Sequence, residues 1–179
     1  METLIENSKN NDIQSFTKLI QTIENDLYRI ASIRLKNIDD INDATQNTII
    51  NIYKNIHKIR NYQYFKTWAI RILINECNKI YKQKSKNSNY QNEIDVLPSS
   101  SYCINDIDNK IDFELALKNL NYEENLVITL KYGSQLSCSE ISKILKINVN
   151  TVKSRLKRGK EKIKEYYEGR RFSDEIQSK

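Results

Sequence analysis

The sequence predicts an all-α protein made of two small helical domains joined by a flexible linker. Its 179 residues include only three glycines and one proline, so the usual interruptions of a helix are scarce. Apolar residues recur over long stretches with the spacing of three to four residues that is typical of amphipathic helices. Between two such regions, residues 87–110 are polar, have no clear period and contain the single proline, which favours a linker.

The N-terminal region contains three predicted helices. The first is long and has its apolar residues at helical spacing: Phe16, Leu19, Ile20, Ile23, Leu27, Ile30 and Ala31. The second begins near Asp39, and the third runs from about Phe65 to Lys82. One side of the third helix is apolar (Ala69, Ile72, Leu73, Cys77 and Ile80), and a separate stripe is formed by Trp68, Arg71, Asn75, Asn78, Lys79 and Lys82.

The C-terminal region is expected to contain a helix-turn-helix. A helix over residues 123–132 is predicted to end at Gly133 in the position of a C-terminal cap. Ser137 and Glu140 have the spacing of a capping box, and a short helix, a turn and a basic helix follow. The expected organisation is thus a first domain at 1–86, a linker at 87–110, the helix-turn-helix domain at 111–168 and a tail at 169–179.

The distribution of charge along the chain is more informative than its net charge of +6. Residues 58–86 carry eight basic side chains and one acidic one, and residues 151–164 carry seven basic and one acidic. Residues 1–50 and 91–124 are both acidic. Two separate basic blocks with acidic stretches between them indicate two contacts with a polyanion, a pattern that a uniformly basic tail would not show.

The second basic block lies in NVNTVKSRLKRGKEKIK, residues 148–164. At about 100° per residue, a narrow apolar stripe is formed by Val152, Leu156, Gly159 and Ile163. Lys153, Ser154, Lys157 and Arg158 project from the opposite side, and either Asn148 or Asn150 is expected to cap the helix. A charged helix face is often only solvated. As the second helix of a helix-turn-helix, however, this face would lie in the major groove of DNA.

The first basic block contains KIRNYQYFKTW, residues 58–68, in which aromatic side chains alternate with basic and amide ones. Unpaired bases need an aromatic face for stacking and positive charge for their phosphates, so this pattern suits single-stranded nucleic acid. The alternative is that the aromatic residues attach the third helix to the core. This alternative is favoured for Phe65 and is as good as the nucleic-acid interpretation for Trp68.

Catalysis, metal binding and membrane insertion have no support in the sequence. There is no glycine-rich phosphate loop, and the single histidine, His57, has no nucleophile motif beside it. Cys77, Cys103 and Cys138 show no metal-ligand spacing and are expected to be buried apolar residues. No segment resembles a signal peptide or a membrane helix, which favours the cytoplasm. We expect no enzyme activity, no metal and no cofactor.

Three segments together resemble the extracytoplasmic-function (ECF) sigma factors of bacterial RNA polymerase. DDINDATQNTIINIYKNI (39–56) is similar to the family's region 2.2, and YFKTWAIRILINECNKIYKQK (64–84) to its regions 2.3 and 2.4. Residues 117–163 resemble region 4, and their last part, TVKSRLKRGKEKI, is the most specific match. The resemblance implies a factor for transcription initiation that binds core RNA polymerase, directs it to promoters and helps to open the DNA.

The resemblance also implies a role for particular residues. Region 4 would contact the duplex −35 element through Thr151, Lys153, Ser154, Arg155, Lys157 and Arg158. Region 2 would bind the unpaired −10 strand through Lys58, Arg60, Asn61, Tyr62, Gln63, Tyr64, Trp68, Arg71, Asn75 and Lys79. Contact with the β′ clamp helices of the polymerase would involve Asp39, Asp40, Asp43 and Gln46. The resemblance also implies a contact with the β flap of the polymerase. An anti-sigma factor is a further candidate partner.

A conventional helix-turn-helix regulator, which binds duplex DNA as a dimer, remains the alternative. Its DNA-binding module could share the pattern of residues 140–153. The N-terminal region, however, has no evident sensor pattern and has its own basic, aromatic surface. On the last helix, Lys162 lies at the flank of the exposed face, where we expect a phosphate contact without base preference.

Overall fold

The computed structural model describes residues 1–87, 113 and 115–177, and within these ranges all regular structure is helical. The chain divides into two compact units, Met1–Pro98 (unit 1) and Ser99–Lys179 (unit 2). The predicted linker at 87–110 lies outside the described residues except for its first residue, Asn87, at which a helix ends. Among the described residues, no helix is long and apolar enough to cross a membrane.

Unit 1 contains five α-helices and two 3-10 turns in its described part. The helices are α1 (Glu2–Lys9), α2 (Ile13–Gln21), α3 (Glu24–Arg34), α4 (Ile38–Asn55) and α5 (Phe65–Asn87). The 3-10 turns, Ile56–Lys58 and Tyr62–Tyr64, lie between α4 and α5. Asn37 caps α4 by accepting hydrogen bonds from the backbone N–H groups of Asp39 and Asp40.

The single long helix predicted over residues 16–31 is wrong, because the chain breaks between α2 and α3. The backbone N–H of Thr22 bonds to the carbonyl of Leu19, three residues back, and Ile23 bonds to Ile20 in the same way. The hydroxyl of Thr22 also donates to the carbonyl of Leu19, at 2.6 Å. The side chain thus competes for a carbonyl of the helix. Ile23 and Leu27 are nevertheless buried, so the apolar spacing survives the break.

The core of unit 1 lies between α3, α4 and α5. The fully buried side chains of α5 include Phe65, Ala69 and Leu73, each 0% exposed, and Cys77 lies on the same side. The predicted apolar side is therefore largely confirmed, although Ile72 and Ile80 are only half-buried. Two ion pairs tie α5 to its neighbours near its two ends: Lys66 to Asp26 of α3 and Lys84 to Asp40 of α4, both at 2.6 Å.

The described part of unit 2 has helical residues at 113 and 115–118, followed by α6 (Tyr122–Ile128), α7 (Cys138–Leu145) and α8 (Val149–Gln177). Asn121 and Glu124 form a capping box at the start of α6, and the predicted capping box of Ser137 and Glu140 is confirmed at α7. Lys146 takes the left-handed conformation at the turn before α8, with φ of 56°. The predicted sequence of short helix, turn and basic helix is thus confirmed.

The helical stretch ends at Gly133, as predicted, but the predicted cap geometry at Gly133 is wrong. After Ile128 the chain forms a wider π-turn, Thr129–Gly133, and the backbone N–H of Ser134 bonds to the carbonyl of Thr129. Gly133 does not have a positive φ; the left-handed residue is Gln135, with φ of 59°. The π-turn places Leu130 in the core of unit 2, where it is 0% exposed.

α8 packs closely on α6 and α7. Val152 and Leu156 are buried at 0% and 7% exposure, as the periodicity predicts, and Ile163 is half-buried. Gly159 lies directly against α6: a Cβ atom at this position would be 3.0 Å from Cγ1 of the buried Ile128. This glycine therefore permits a close approach of the two helices, since a larger side chain would displace Ile128.

Candidate nucleic-acid interface

The exposed side of α8 presents four side chains together, Lys153, Ser154, Lys157 and Arg158, which we call the recognition face. Val152 and Leu156 point into the core and so turn these four outward. Asn148, rather than Asn150, accepts the hydrogen bond at the helix start: its Oδ1 lies 2.8 Å from the backbone N of Asn150. The N-terminal turns of α8, where this face lies, have the chemistry of a DNA-reading helix.

Acidic residues of α6 lie beside three cations of α8. Arg155 is paired with Glu123 at 2.5 Å, and its side chain is only 16% exposed. Lys162 donates to Oε2 of Glu124 at 2.8 Å. Nε of Arg158 lies 3.9 Å from the other oxygen of Glu124, but the Arg158 side chain remains 60% exposed. Of these cations, Arg158 is thus the most accessible to DNA.

The acidic partners Glu123 and Glu124 were not found by sequence reasoning. A local signal existed for Glu124, because Asn121 precedes it at the spacing of a capping box. Its pairing with Lys162, 38 residues later, has no local signal. The expected phosphate contacts of Arg155 and Lys162 remain predictions. Arg155 is paired with Glu123 and Lys162 with Glu124, so a DNA phosphate would have to compete with these carboxylates.

Glu124 is a buried carboxylate, with a side chain only 2% exposed. Burial raises its pKa, but three favourable interactions outweigh burial: the hydrogen bond from Lys162, the hydrogen bond from the backbone N–H of Asn121, and the charges of Lys162 and Arg158. The pKa therefore lies below its ordinary value of 4.5, and Glu124 is ionised at neutral pH. A buried, ionised carboxylate fixes the position of the cations around it.

In unit 1, the segment between α4 and α5 forms the second candidate surface, which we call the 58–64 loop. Arg60, Asn61, Gln63 and Tyr64 are exposed, and Tyr62 is half-buried. The side chain of Asn61 accepts a hydrogen bond from the backbone N–H of Gln63 at 3.0 Å. Lys58 is exposed and donates to Oδ1 of Asn55 at 2.7 Å. The loop thus presents aromatic, amide and cationic groups side by side, which suits an unpaired base and its phosphate.

The polar stripe of α5 continues from this loop. Arg71, Asn75 and Lys79 are exposed, and Trp68 is half-buried. The Trp68 ring contacts the Phe65 ring, with centroids 6.2 Å apart and an angle of 45° between the planes. Phe65 is 0% exposed, so its assignment to the core is confirmed, whereas Trp68 belongs to both core and surface. Lys79 donates to the buried carboxylate of Glu76 at 2.7 Å, and Asn51 of α4 donates to the same oxygen at 3.1 Å.

The predicted polymerase-binding residues lie on the first half of α4. Asp39, Asp43 and Gln46 are exposed and recur at helical spacing, whereas Asp40 is half-buried and paired with Lys84. The exposed stripe continues with two large apolar side chains, Ile50 at 48% and Tyr53 at 44% exposure. Acidic groups followed by exposed apolar groups along one helix are typical of a protein-binding surface.

The cysteines supply no site. Cys77 is buried at 1% exposure, and this burial raises the pKa of its thiol to about 12, which makes it a packing residue. Cys138 is half-buried, so its predicted burial is only partial, and Cys103 lies outside the described residues. No group of three or more metal-binding side chains occurs in the part of the chain that the structure describes.

Comparison with protein families assigns both units. Residues 19–87 match the model for sigma-70 region 2, and residues 110–163 match the model for sigma-70 region 4. The chain is also similar to two proteins of Bacillus subtilis. It is 28% identical to the ECF RNA polymerase sigma factor SigW over 89% of this chain and 92% of SigW. It is 31% identical to the RNA polymerase sigma factor SigV over 74% of this chain and 79% of SigV.

Two solved structures share the fold. One is the sigma factor RpoE of Bartonella quintana, in complex with the anti-sigma factor NepR. Its TM-score is 0.64 at 20% identity, over 87% of this chain and 98% of that chain. The other is CnrH in complex with the cytosolic domain of CnrY, with a TM-score of 0.61 at 16% identity, over 93% and 96% of the two chains.

Replacing Lys162 by Met is expected to destabilise unit 2, because Glu124 loses its shortest ion pair while it stays buried. The expected cost at pH 7 is about 1–3 kcal/mol of unfolding free energy. A carboxylate with a lowered pKa stabilises the fold above its unfolded-state pKa and loses this effect as the pH falls through its folded-state pKa. The difference between variant and wild type should therefore shrink as the pH falls and Glu124 is protonated in both folded proteins, because a neutral Glu124 no longer needs the charge of Lys162.

Urea unfolding of the full chain measures this effect. Far-UV circular dichroism reports both units, whereas the fluorescence of Trp68, the only tryptophan, reports unit 1 alone. Lys160→Met removes the same charge from an exposed position of α8 and serves as the control. An equal loss of stability in both variants would mean that the Lys162–Glu124 contact does not stabilise the unit.

Proposed function

The chain belongs to the ECF sigma factors of the sigma-70 family, which direct RNA polymerase to promoters, and from this premise we propose how its surfaces share the task. Unit 2 recognises the −35 element as duplex, and unit 1 captures the unpaired −10 strand. The protein acts as a binding factor in the cytoplasm, where the polymerase works, and performs no catalysis itself. Matches to both sigma regions on one chain carry this proposal.

At the −35 element, the recognition face enters the major groove. Lys153, Ser154 and Lys157 lie on the first turns of α8 and are exposed, which supports contact with base edges. Arg158 is assigned the main specific contact, because an arginine can bond to two acceptors of one guanine. Thr151 and Arg155 are assigned to phosphates. Both are half-buried, so their contacts would lie at the edge of the interface.

At the −10 element, the 58–64 loop holds a base that has left the stack. Extruding a base costs a few kcal/mol, and stacking on aromatic side chains offsets this cost. The exposed amide and basic groups of the loop would bond to the base and its phosphates, while Trp68, Arg71, Asn75 and Lys79 support the separated strands. Support for this role comes from their position on one continuous stripe of α5 beside the loop.

Two further surfaces are assigned to proteins. The acidic stripe of Asp39, Asp40, Asp43 and Gln46 contacts the β′ clamp helices of the polymerase, and unit 2 contacts the β flap. Ile50 and Tyr53, exposed on the same helix as the acidic stripe, would add apolar contact. An anti-sigma factor is a further proposed partner. The likeness to RpoE and CnrH, each solved with a bound partner, supports this assignment.

Binding to core RNA polymerase tests the proposal against the alternative of a dimeric regulator. We expect the chain to bind core polymerase and, when free, to bind duplex DNA only weakly, because the two DNA surfaces act together on the polymerase. Affinity capture with purified core enzyme and DNA binding by the free chain give the two measurements. Tight, sequence-specific binding by the free protein without retention by core polymerase would support the regulator instead.

Arg158→Ala should cost about 1–3 kcal/mol on the correct −35 sequence and relax the preference at one base pair. Lys160→Ala is the matched control, since Lys160 is also exposed on α8 but lies beyond the recognition face. The control should weaken binding equally on all sequences. The measurement is selection of promoters from a library randomised across the −35 element. Selection of the same sequence with the same stringency by Arg158→Ala would exclude direct readout by this residue.

Trp68→Ala should leave polymerase binding intact and depress promoter opening, because the indole supports the separated strands. Trp68→Phe keeps an aromatic ring against Phe65 and should therefore retain more promoter opening than Trp68→Ala. The reactivity of unpaired thymines with permanganate measures opening, and capture by core polymerase measures binding. If opening by Trp68→Ala equals that of wild type, Trp68 serves only in packing.

A further inference from the structure

α1 precedes the residues that match sigma-70 region 2, which begin at residue 19, and yet it packs on that region. It contacts α2 and the first 3-10 turn, and Ile5 is 0% exposed. The corner after α1 is well defined: Asn11 is left-handed, with φ of 63°, and Asp12 caps α2 by accepting hydrogen bonds from two backbone N–H groups. The C-terminal end of α1 is therefore held in one place.

Lys9, the last residue of α1, contacts two residues of the 58–64 loop. Its ammonium donates to the carbonyl oxygen of Ile59 at 2.5 Å. The same nitrogen lies over the Tyr62 ring, 4.6 Å from the centroid, which is within the range of a cation–π interaction. These contacts join residues that are about 50 positions apart in the sequence, so they connect the loop to the end of α1 at two points.

We propose that Lys9 is a positioning residue for promoter opening, which holds the 58–64 loop in the conformation that captures the unpaired −10 strand. The proposal rests on the function assigned to that loop above. One contact fixes the backbone at Ile59, and the other fixes the side chain of Tyr62, three residues later. A loop that is ordered before DNA arrives loses less conformational entropy when it binds an unstacked base.

Lys9→Met tests this role, because methionine keeps most of the apolar stem but removes the charge and the hydrogen-bond donor. Lys9→Arg keeps both the donor and the cation–π partner and should rescue the variant. Lys18→Met is the matched control: Lys18 is exposed on α2, in the same unit, and its loss changes the net charge equally. All variants are made in the full chain and assembled with core polymerase.

The assay uses a template on which the −10 element is already unpaired by mismatches, so that strand capture is measured apart from duplex melting. We expect Lys9→Met to lower the preference for the correct −10 strand over a mutated one by roughly 5- to 30-fold, the factor for one to two kcal/mol. Polymerase binding should match that of Lys18→Met, and both variants should be folded at the assay temperature. An unchanged preference, or an equal loss of polymerase binding, would overturn the proposal.

Tyr62→Ala distinguishes failure of this proposal from failure of the loop assignment. If Tyr62→Ala lowers strand preference and Lys9→Met does not, only the role of Lys9 is wrong. If Tyr62→Ala has no effect, the loop assignment fails and the Lys9 proposal fails with it. If both single variants lower the strand preference, the double variant should lower it by less than the product of the two single factors, because Lys9 acts partly through Tyr62. Independent, multiplicative losses would overturn the positioning role.

Discussion

Both candidate DNA-binding surfaces depend on which side of α5 and α8 is packed against the core, because this packing decides which side chains face solvent. On α8 the buried stripe of Val152 and Leu156, together with the close contact of Gly159 with Ile128, leaves only one arc for solvent. On α5 the buried residues Phe65 and Leu73 have the same effect. A polar side chain on either helix is therefore available to DNA only if its position along the chain places it outside the buried arc.

Acidic residues at the edges of the buried arcs further limit which basic side chains can contact DNA. Glu124 in unit 2 and Glu76 in unit 1 are both buried, at 2% and 8% exposure. Glu124 accepts a hydrogen bond from Lys162, and Glu76 accepts one from Lys79. A cation held in this way is fixed in position and partly neutralised. Lys157 and Arg158 of the recognition face lie farther from their carboxylate partners, at 3.9 Å each, and their side chains are 78% and 60% exposed, so they stay accessible to phosphates and bases. The basic blocks of the sequence thus contain cations of two different kinds.

Features with a local signal were predictable from the sequence, and features that arise from tertiary contacts were not. The capping box at Ser137 and the buried stripe of α8 follow from residues a few positions apart. The sequence did not predict the break at Thr22, because the helical spacing of apolar residues continues through it. The π-turn after Ile128 and the contact of Lys9 with Ile59 depend on packing and on distant residues, so periodicity carries no information about them.

In the proposed function, two DNA surfaces act together on one polymerase, and transcription in vitro tests this cooperation most directly. Core polymerase, this chain and genomic DNA are combined, and the start sites of the transcripts are mapped. We expect transcripts that core enzyme alone does not make, with starts preceded by two shared sequence elements at a constant spacing. No chain-dependent transcripts, or starts preceded by only one shared element, would contradict it.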